Sequence, residues 1–163
     1  MIEAGASENH IDLGGLPITR LRLSHGAGSA DVNFSAPNPA VLSELRLAVD
    51  AGKTDAHNLG NANFQTLLVE GGAASCLLDF SGNARQDASA RISTAMASVE
   101  VRIPRDLAVE VTSSNVLGQP RADAGFSQRG ATWLSPAAAA GSPIQLRIHS
   151  SMVMGKLLLS SST

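Results

Sequence analysis

Aromatic side chains are nearly missing from this sequence. They make up 3% of it, with no tyrosine, one tryptophan and four phenylalanines. A core therefore has to be filled by Leu, Val, Ile and Ala, within a hydrophobic content of 44%. Cysteine is reduced to Cys76, which excludes an internal disulfide and leaves the redox compartment open. In the apolar stretch "ASCLLDF" it reads as a small buried hydrophobe; a catalytic thiol needs a histidine in a strand-to-helix setting, and none accompanies it. No run approaches the ~18 apolar residues of a membrane-crossing helix. "MIEAGASENH" lacks the basic start and apolar stretch of an export signal, so none is expected there. Charge of one sign is missing too: 12 basic residues stand against 14 acidic ones, net −2, without a block of either. That balance points to no nucleic-acid partner and no anionic membrane surface.

What is present is a repeat. "LRLSHGAGSADVNF" starts at Leu21, "LRLAVDAGKTDAHNL" at Leu45 and "LLVEGGAASCLLDF" at Leu67. "RISTAMASVEVRI", "VEVTSSNVL" and "LRIHSSMVMGKLLL" follow. Each long unit is a strand, a break of small residues and a second strand. The breaks Gly28, Gly52, Ala74 and Ala97 are spaced 24, 22 and 23 residues apart. A second marker, at the turns "LGGLP", "APNPA", "LGNAN", "SGNAR" and "IPRDLA", gives Gly15, Asn38, Asn61, Asn83 and Asp106, spaced 23, 23, 22 and 23. Gly, Asn and Asp tolerate positive φ or bond their own backbone.

Two markers with one period of about 23 predict an all-β solenoid of about six short coils with almost no helix. A hairpin sandwich gives no reason for one residue type to recur at a fixed place. Stacked coils do, because neighbours lie ~4.8 Å apart and Asn38, Asn61 and Asn83 would form a ladder of amides. Asn61 is expected at positive φ. The small residues are corners, where a bulky side chain would strike the coil above. Val32 and Phe34, Leu78 and Phe80, and Val101 and Ile103 then point inward. In the second unit the equivalents are Ala56 and Asn58, which leave that coil under-filled. The 163 residues divide as a single domain: an N-terminal cap (1–12), regular coils (13–117), an insertion (118–143) and a C-terminal coil (144–163). "SPAAAAGSP" in the insertion is too short for a stable helix.

From Ile11 to Leu159 the chain resembles the toast-rack and LiaF-like C-terminal domains and the adhesin-like β-solenoid families. "IDLGGLPITRLRLSHGAGSADVNF", "NLGNANFQTLLVEGGAASCLLDFSGN", "VEVRIPRDLAVEV", "ATWLSP" and "IQLRIHSSMVMGKLLL" carry the resemblance. It implies a β-solenoid attached to a bacterial membrane by helices outside the domain, and for LiaF-like members a part in cell-envelope stress sensing with a membrane-protein partner. It supplies no catalytic residue.

The residues themselves point the same way. His10, His25, His57 and His149 are too far apart in sequence to suggest a metal site. Asp31, Asp55 and Asp79 recur 24 residues apart and would stack if the coils are in register; stacked carboxylates could bind a cation or a sugar, but they alternate outward and read as solvated. "HGAGS" lacks the Lys-Ser/Thr ending of a phosphate loop. The expectation is a non-enzymatic envelope module that binds or assembles, with no cofactor and no metal. A carbohydrate-binding or carbohydrate-active solenoid and a self-associating structural protein are the alternatives. For self-association the candidates are Met152, Met154 and Leu158. "MVM" and "LLL" in the last coil are apolar on both faces, the pattern of a strand covered on both sides. The cover would be either the insertion or a second copy of the chain.

Overall fold

The computed structural model describes residues 2–4, 7–84, 86–117 and 120–162. The strands are β1 (Ile2–Ala4), β2 (Ser7–Asp12), β3 (Arg20–His25), β4 (Gly28–Asn33), β5 (Leu42–His57), β6 (Phe64–Asp79), β7 (Ala88–Pro104), β8 (Val109–Leu117), β9 (Arg121–Ala122), β10 (Ser127–Arg129), β11 (Thr132–Leu134) and β12 (Leu146–Ser162). All belong to one hydrogen-bonded network. Apart from the antiparallel β10 and β11, every pairing is parallel. The fold is all-β and solenoid-like.

Each rung runs outward along one side, bends, and continues along the other. In β5 the alternation of buried and exposed residues breaks at Asp50–Lys53 and then resumes; β3 and β4 part at the same place. Both halves of a rung turn one face inward because side chains alternate along a strand. Leu21, Leu45, Leu67, Ala90, Ile148 and Val111 form one inward row across the rungs. Val32, Ala56, Leu78, Val101 and Leu159 form another on the facing side. All of these are buried. The aliphatic composition thus fills a thin two-layer core, with Phe34 and Phe80 closing it at the turn end.

The rungs do not stack in chain order. β12 pairs with β7 along one edge and with β8 along the other. The last segment of the chain is therefore an interior rung, inserted between two strands that follow each other in sequence. This is why the period fades after Asp106: β8 has no partner among the residues just before it. β1 and β2 supply a terminal rung, β1 on β3 and β2 on β4. Of the expected insertion 118–143, residues 120–143 are described and cover the other end: β11 lies antiparallel on β8 and β10 on β11, and Phe126 and Trp133 pack against the core. "SPAAAAGSP", expected to form no helix, makes a single turn, α1 (Pro136–Ala139). Ser135 caps it, donating to Leu107 O (2.8 Å) and accepting from Val109 N (2.9 Å).

The turns are built from asparagine, though not as a simple ladder of amides. Asn38 is fully buried. Its Nδ2 donates to Ile18 O (2.8 Å) and Ala62 O (3.2 Å), and its Oδ1 accepts from Ile18 N (3.2 Å) and Ala40 N (2.9 Å). Truncation to Ala removes all four bonds and leaves Ile18 O, Ala62 O and Ala40 N without this partner, while Ile18 N keeps Leu16 O at 2.9 Å. Asn38→Ala should cost about 3 kcal/mol in chemical unfolding; a loss below about 1 kcal/mol would mean that the loop rearranges freely. Asn61 does not have the positive φ expected of it. It sits inside a 3₁₀ turn, Leu59–Ala62, and the left-handed residues are those flanking it, Asn58 (φ 56°) and Asn63 (φ 57°). The same turn answers the under-filled coil: Asn58 turns out of the core to donate to Asn33 Oδ1 (2.8 Å), and Leu59 enters instead, fully buried. Asn61 still links coils, donating to Phe34 O (2.9 Å) and accepting from Asn83 N (2.9 Å).

Candidate functional site

The two broad outer faces of the stack are the surfaces on which function can act. On the first, formed by β3, β8 and the leading halves of β5, β6, β7 and β12, the middle row reads Arg22, Arg46, Leu68, Arg91, His149, Thr112. The row before it carries Arg20, Glu44, Thr66, Ser89, Arg147 and Glu110; the row after it carries Ser24, Ala48, Glu70, Ser93, Ser151 and Ser114. Arg46 pairs with Glu70 at 3.0 Å. Among the described residues Arg20, Arg22, Arg91 and Arg147 have no ion-pair partner.

The second face, formed by β2, β4 and the trailing halves of the long strands, is acidic. Asp31 lies in register with His10 and Asp55. Its two oxygens are each 3.7 Å from an imidazole nitrogen, one of His10 and one of His57. Lys53 pairs with Asp55 at 3.1 Å and Arg102 with Glu100 at 3.0 Å, while Lys156, in the same hollow, has no ion-pair partner among the described residues. The expected stack of three aspartates is broken, because Leu77 takes the place beside Asp55 and Asp79 falls one row on, opposite Arg102. Among the described residues no group of three or more His, Cys, Asp or Glu is arranged to hold a metal ion.

The corner between the faces aligns Gly52, Ala74, Ala97 and Gly155 in register. Gly28 sits directly against Gly52, its carbonyl 2.2 Å from where a Cβ on Gly52 would lie. Gly155 was not picked out by the period, although "MVMGK" repeats the pattern of "TAMAS". At the turn end, Gly15 has φ 74° and donates to Ala36 O (3.2 Å), and Asp106 is exposed. Beside the corner, Met96, Met154 and Leu117 form an exposed apolar row.

The apolar run of β12 is divided between the core and the outer surface. Met152, Leu157 and Leu159 are core side chains, so Met152 is not available to an interface. Val153, Met154 and Leu158 remain 53%, 44% and 39% exposed, so the insertion is not their cover.

Two buried groups are held neutral. Burial pushes the Cys76 thiol up to about 11, with the Asp55 charge adding to it, so the thiol is unreactive. His25 is buried and donates to, or accepts from, Thr54 Oγ1 at 2.7 Å. Burial lowers its pKa, which Asp50 opposes. Its folded pKa lies below its unfolded one, about 6.5, so this contribution to stability is present above pH ~6.5 and lost as pH falls toward the folded value. The melting temperature should drop between pH 7 and pH 5 by more in the native chain than in a His25→Leu, Thr54→Val variant; equal drops would remove His25 as a cause.

No protein-family model matches the sequence, neither toast-rack nor LiaF-like. No curated protein matches it. The structure is similar to the crystal structure of a "putative cell adhesion protein" from Clostridium sporogenes ATCC 15579, with a TM-score of 0.74 over 91% of this chain and 94% of that one. Identity between the two is 15%, so what they share is the solenoid-like fold.

Proposed function

We propose that this chain is a non-enzymatic, adhesin-like binding module of the bacterial cell envelope. The observation that carries the reading is the outer surface. Along the strands, side chains alternate between the core and rows on two outer faces, with a rung spacing of ~4.8 Å. Such a surface suits recognition of an extended partner. Glycoside hydrolysis instead needs two carboxylates set across a cleft, and here Asp31 and Asp55 stand side by side on an open face, each beside cationic or imidazole partners. The adhesion-related name of the similar structure supports the reading; a part in envelope stress sensing through a membrane-protein partner is the finer extension that the sequence resemblance adds to the proposal.

The test is to incubate the purified domain with intact bacterial cells and with isolated cell walls. Retention on the surface without release of soluble sugar supports the proposal. Release of reducing ends that disappears in Asp55→Asn would replace it with a carbohydrate-active enzyme.

A further inference from the structure

We propose that the arginine-bearing face binds a linear acidic polysaccharide lying along the stack axis; this rests on the binding-module reading above and names its ligand class. The middle row of that face, Arg22, Arg46, Leu68, Arg91, His149 and Thr112, holds no carboxylate. From Arg22 to His149 it spans four rung steps, ~19 Å at the parallel-strand spacing. That length and straightness match an extended polymer rather than a single small anion.

The balance of charge separates this face from the other: here Arg20, Arg22, Arg46, Arg91 and Arg147 outnumber Glu44, Glu70 and Glu110, whereas there Asp31, Asp55, Asp79 and Glu100 outnumber Lys53, Arg102 and Lys156. On the acidic face Lys53 and Arg102 are neutralised by adjacent carboxylates. On this face Arg22 and Arg91 have no ion-pair partner among the described residues. Unpaired guanidinium groups on a rigid sheet are pre-placed for carboxylates, with little ordering left to be done on binding.

The neighbours of Arg91 favour a sugar polymer over other polyanions. Arg91 and His149 border an open hollow of about 350 Å³ that Ser93, Thr112, Ser114 and Ser151 also line, bringing hydroxyl groups to its rim. Hydroxyls both donate to and accept from sugar hydroxyl groups. Glu44, Glu70 and Glu110 flank the row. They would repel the dense phosphates of a nucleic acid or an anionic bilayer, yet they can accept hydrogen bonds from sugar hydroxyls. Uronic-acid chains, with one carboxylate per charged sugar and hydroxyls between, meet all three features.

The experiment measures binding of alginate oligosaccharides to the whole chain by calorimetry, with neutral dextran as control. The native protein should bind alginate, ignore dextran, and lose affinity as salt is raised. Arg22→Gln with Arg91→Gln should weaken alginate binding about tenfold or more, whereas Lys53→Gln with Arg102→Gln on the opposite face should not. Arg91→Lys, which keeps the charge, should retain most of the affinity, and an unchanged melting temperature in each variant separates lost contacts from lost fold. The proposal is overturned if alginate does not bind, if the opposite-face variant loses as much as the arginine variant, or if single-stranded DNA or phosphatidylglycerol vesicles bind the same arginines more tightly than alginate. Adherence to cells without alginate binding would remove this inference and leave the binding-module reading standing. Failure of both would remove both.

Discussion

Deleting residues 146–163 should abolish cooperative folding, where deleting a terminal rung should only weaken it. β12 lies between β7 and β8 and forms backbone pairs along both edges. It also places Leu146, Ile148, Met152, Leu157 and Leu159 in the core. At ~2 kcal/mol for each buried large aliphatic side chain, these five contribute about 10 kcal/mol, which is comparable with the whole stability of a domain this size. Removing them leaves β7 with a bare edge and cuts β8, β11 and β10 away from the stack. By contrast, removal of residues 1–12 exposes one end and, among the described residues, takes no large apolar side chain from the core beyond the partly buried Ile2 and Ile11. Far-UV circular dichroism on heating checks both. The C-terminal truncation should show no sigmoidal transition and should elute as aggregate; the N-terminal one should melt cooperatively at a lower temperature. A C-terminal truncation that melts within about 5 °C of the full chain would mean that β7 and β8 close over the gap.

That interior placement is also the clearest case of what sequence reading could not reach. The 23-residue period exposes coils because each rung meets the next at the same residue types, and it holds wherever sequence neighbours are also spatial neighbours. β12 violates that condition, so its doubly apolar "MVM" and "LLL" look like a strand in need of a cover. Their inward members are buried by the core, and their outward members are left uncovered by the insertion. The corner was legible because small residues are the chemistry of close backbone approach. The turn was legible in composition but not in detail. Asn58 and Asn63, not Asn61, take the left-handed positions, and a scan for period cannot tell which of three clustered asparagines bends the backbone.

The faces were the least legible part. A net charge of −2 with no charged block hides a basic and an acidic side. Their members come from rungs tens of residues apart: Arg22, Arg46 and Arg91 are neighbours on one surface only after β3, β5, β6 and β7 pair in register. The one trace in the sequence is a recurring Arg between two aliphatics, as in "LRL" at Leu21 and at Leu45 and "ARI" at Ala90. Strand alternation puts that arginine outward whenever its neighbours face the core.

Gly155→Val should be the most damaging single substitution at the corner, at about 5 kcal/mol. Gly155 has φ +147°, a backbone region that a β-branched residue enters only with strain, about 1–3 kcal/mol. A Cβ there would lie 2.0 Å from Ala97 O and 2.9 Å from the Met152 side-chain terminus. The methionine can swing away, but the carbonyl belongs to the β7–β12 pairing and cannot move without breaking it. Overpacking against fixed backbone adds a further ~1–3 kcal/mol or more. The position is also interior to the stack, so the distortion reaches the rungs on both sides rather than being relieved at an end. Ala97→Gly in the facing rung should not rescue the variant, because the obstacle is backbone and not a side chain. Urea unfolding of Gly155→Val, alone and with Ala97→Gly, decides the matter. A midpoint close to that of the native chain would show that β12 can lift away from β7 at the corner, and recovery by Ala97→Gly would place the clash on the Ala97 methyl group instead of its carbonyl.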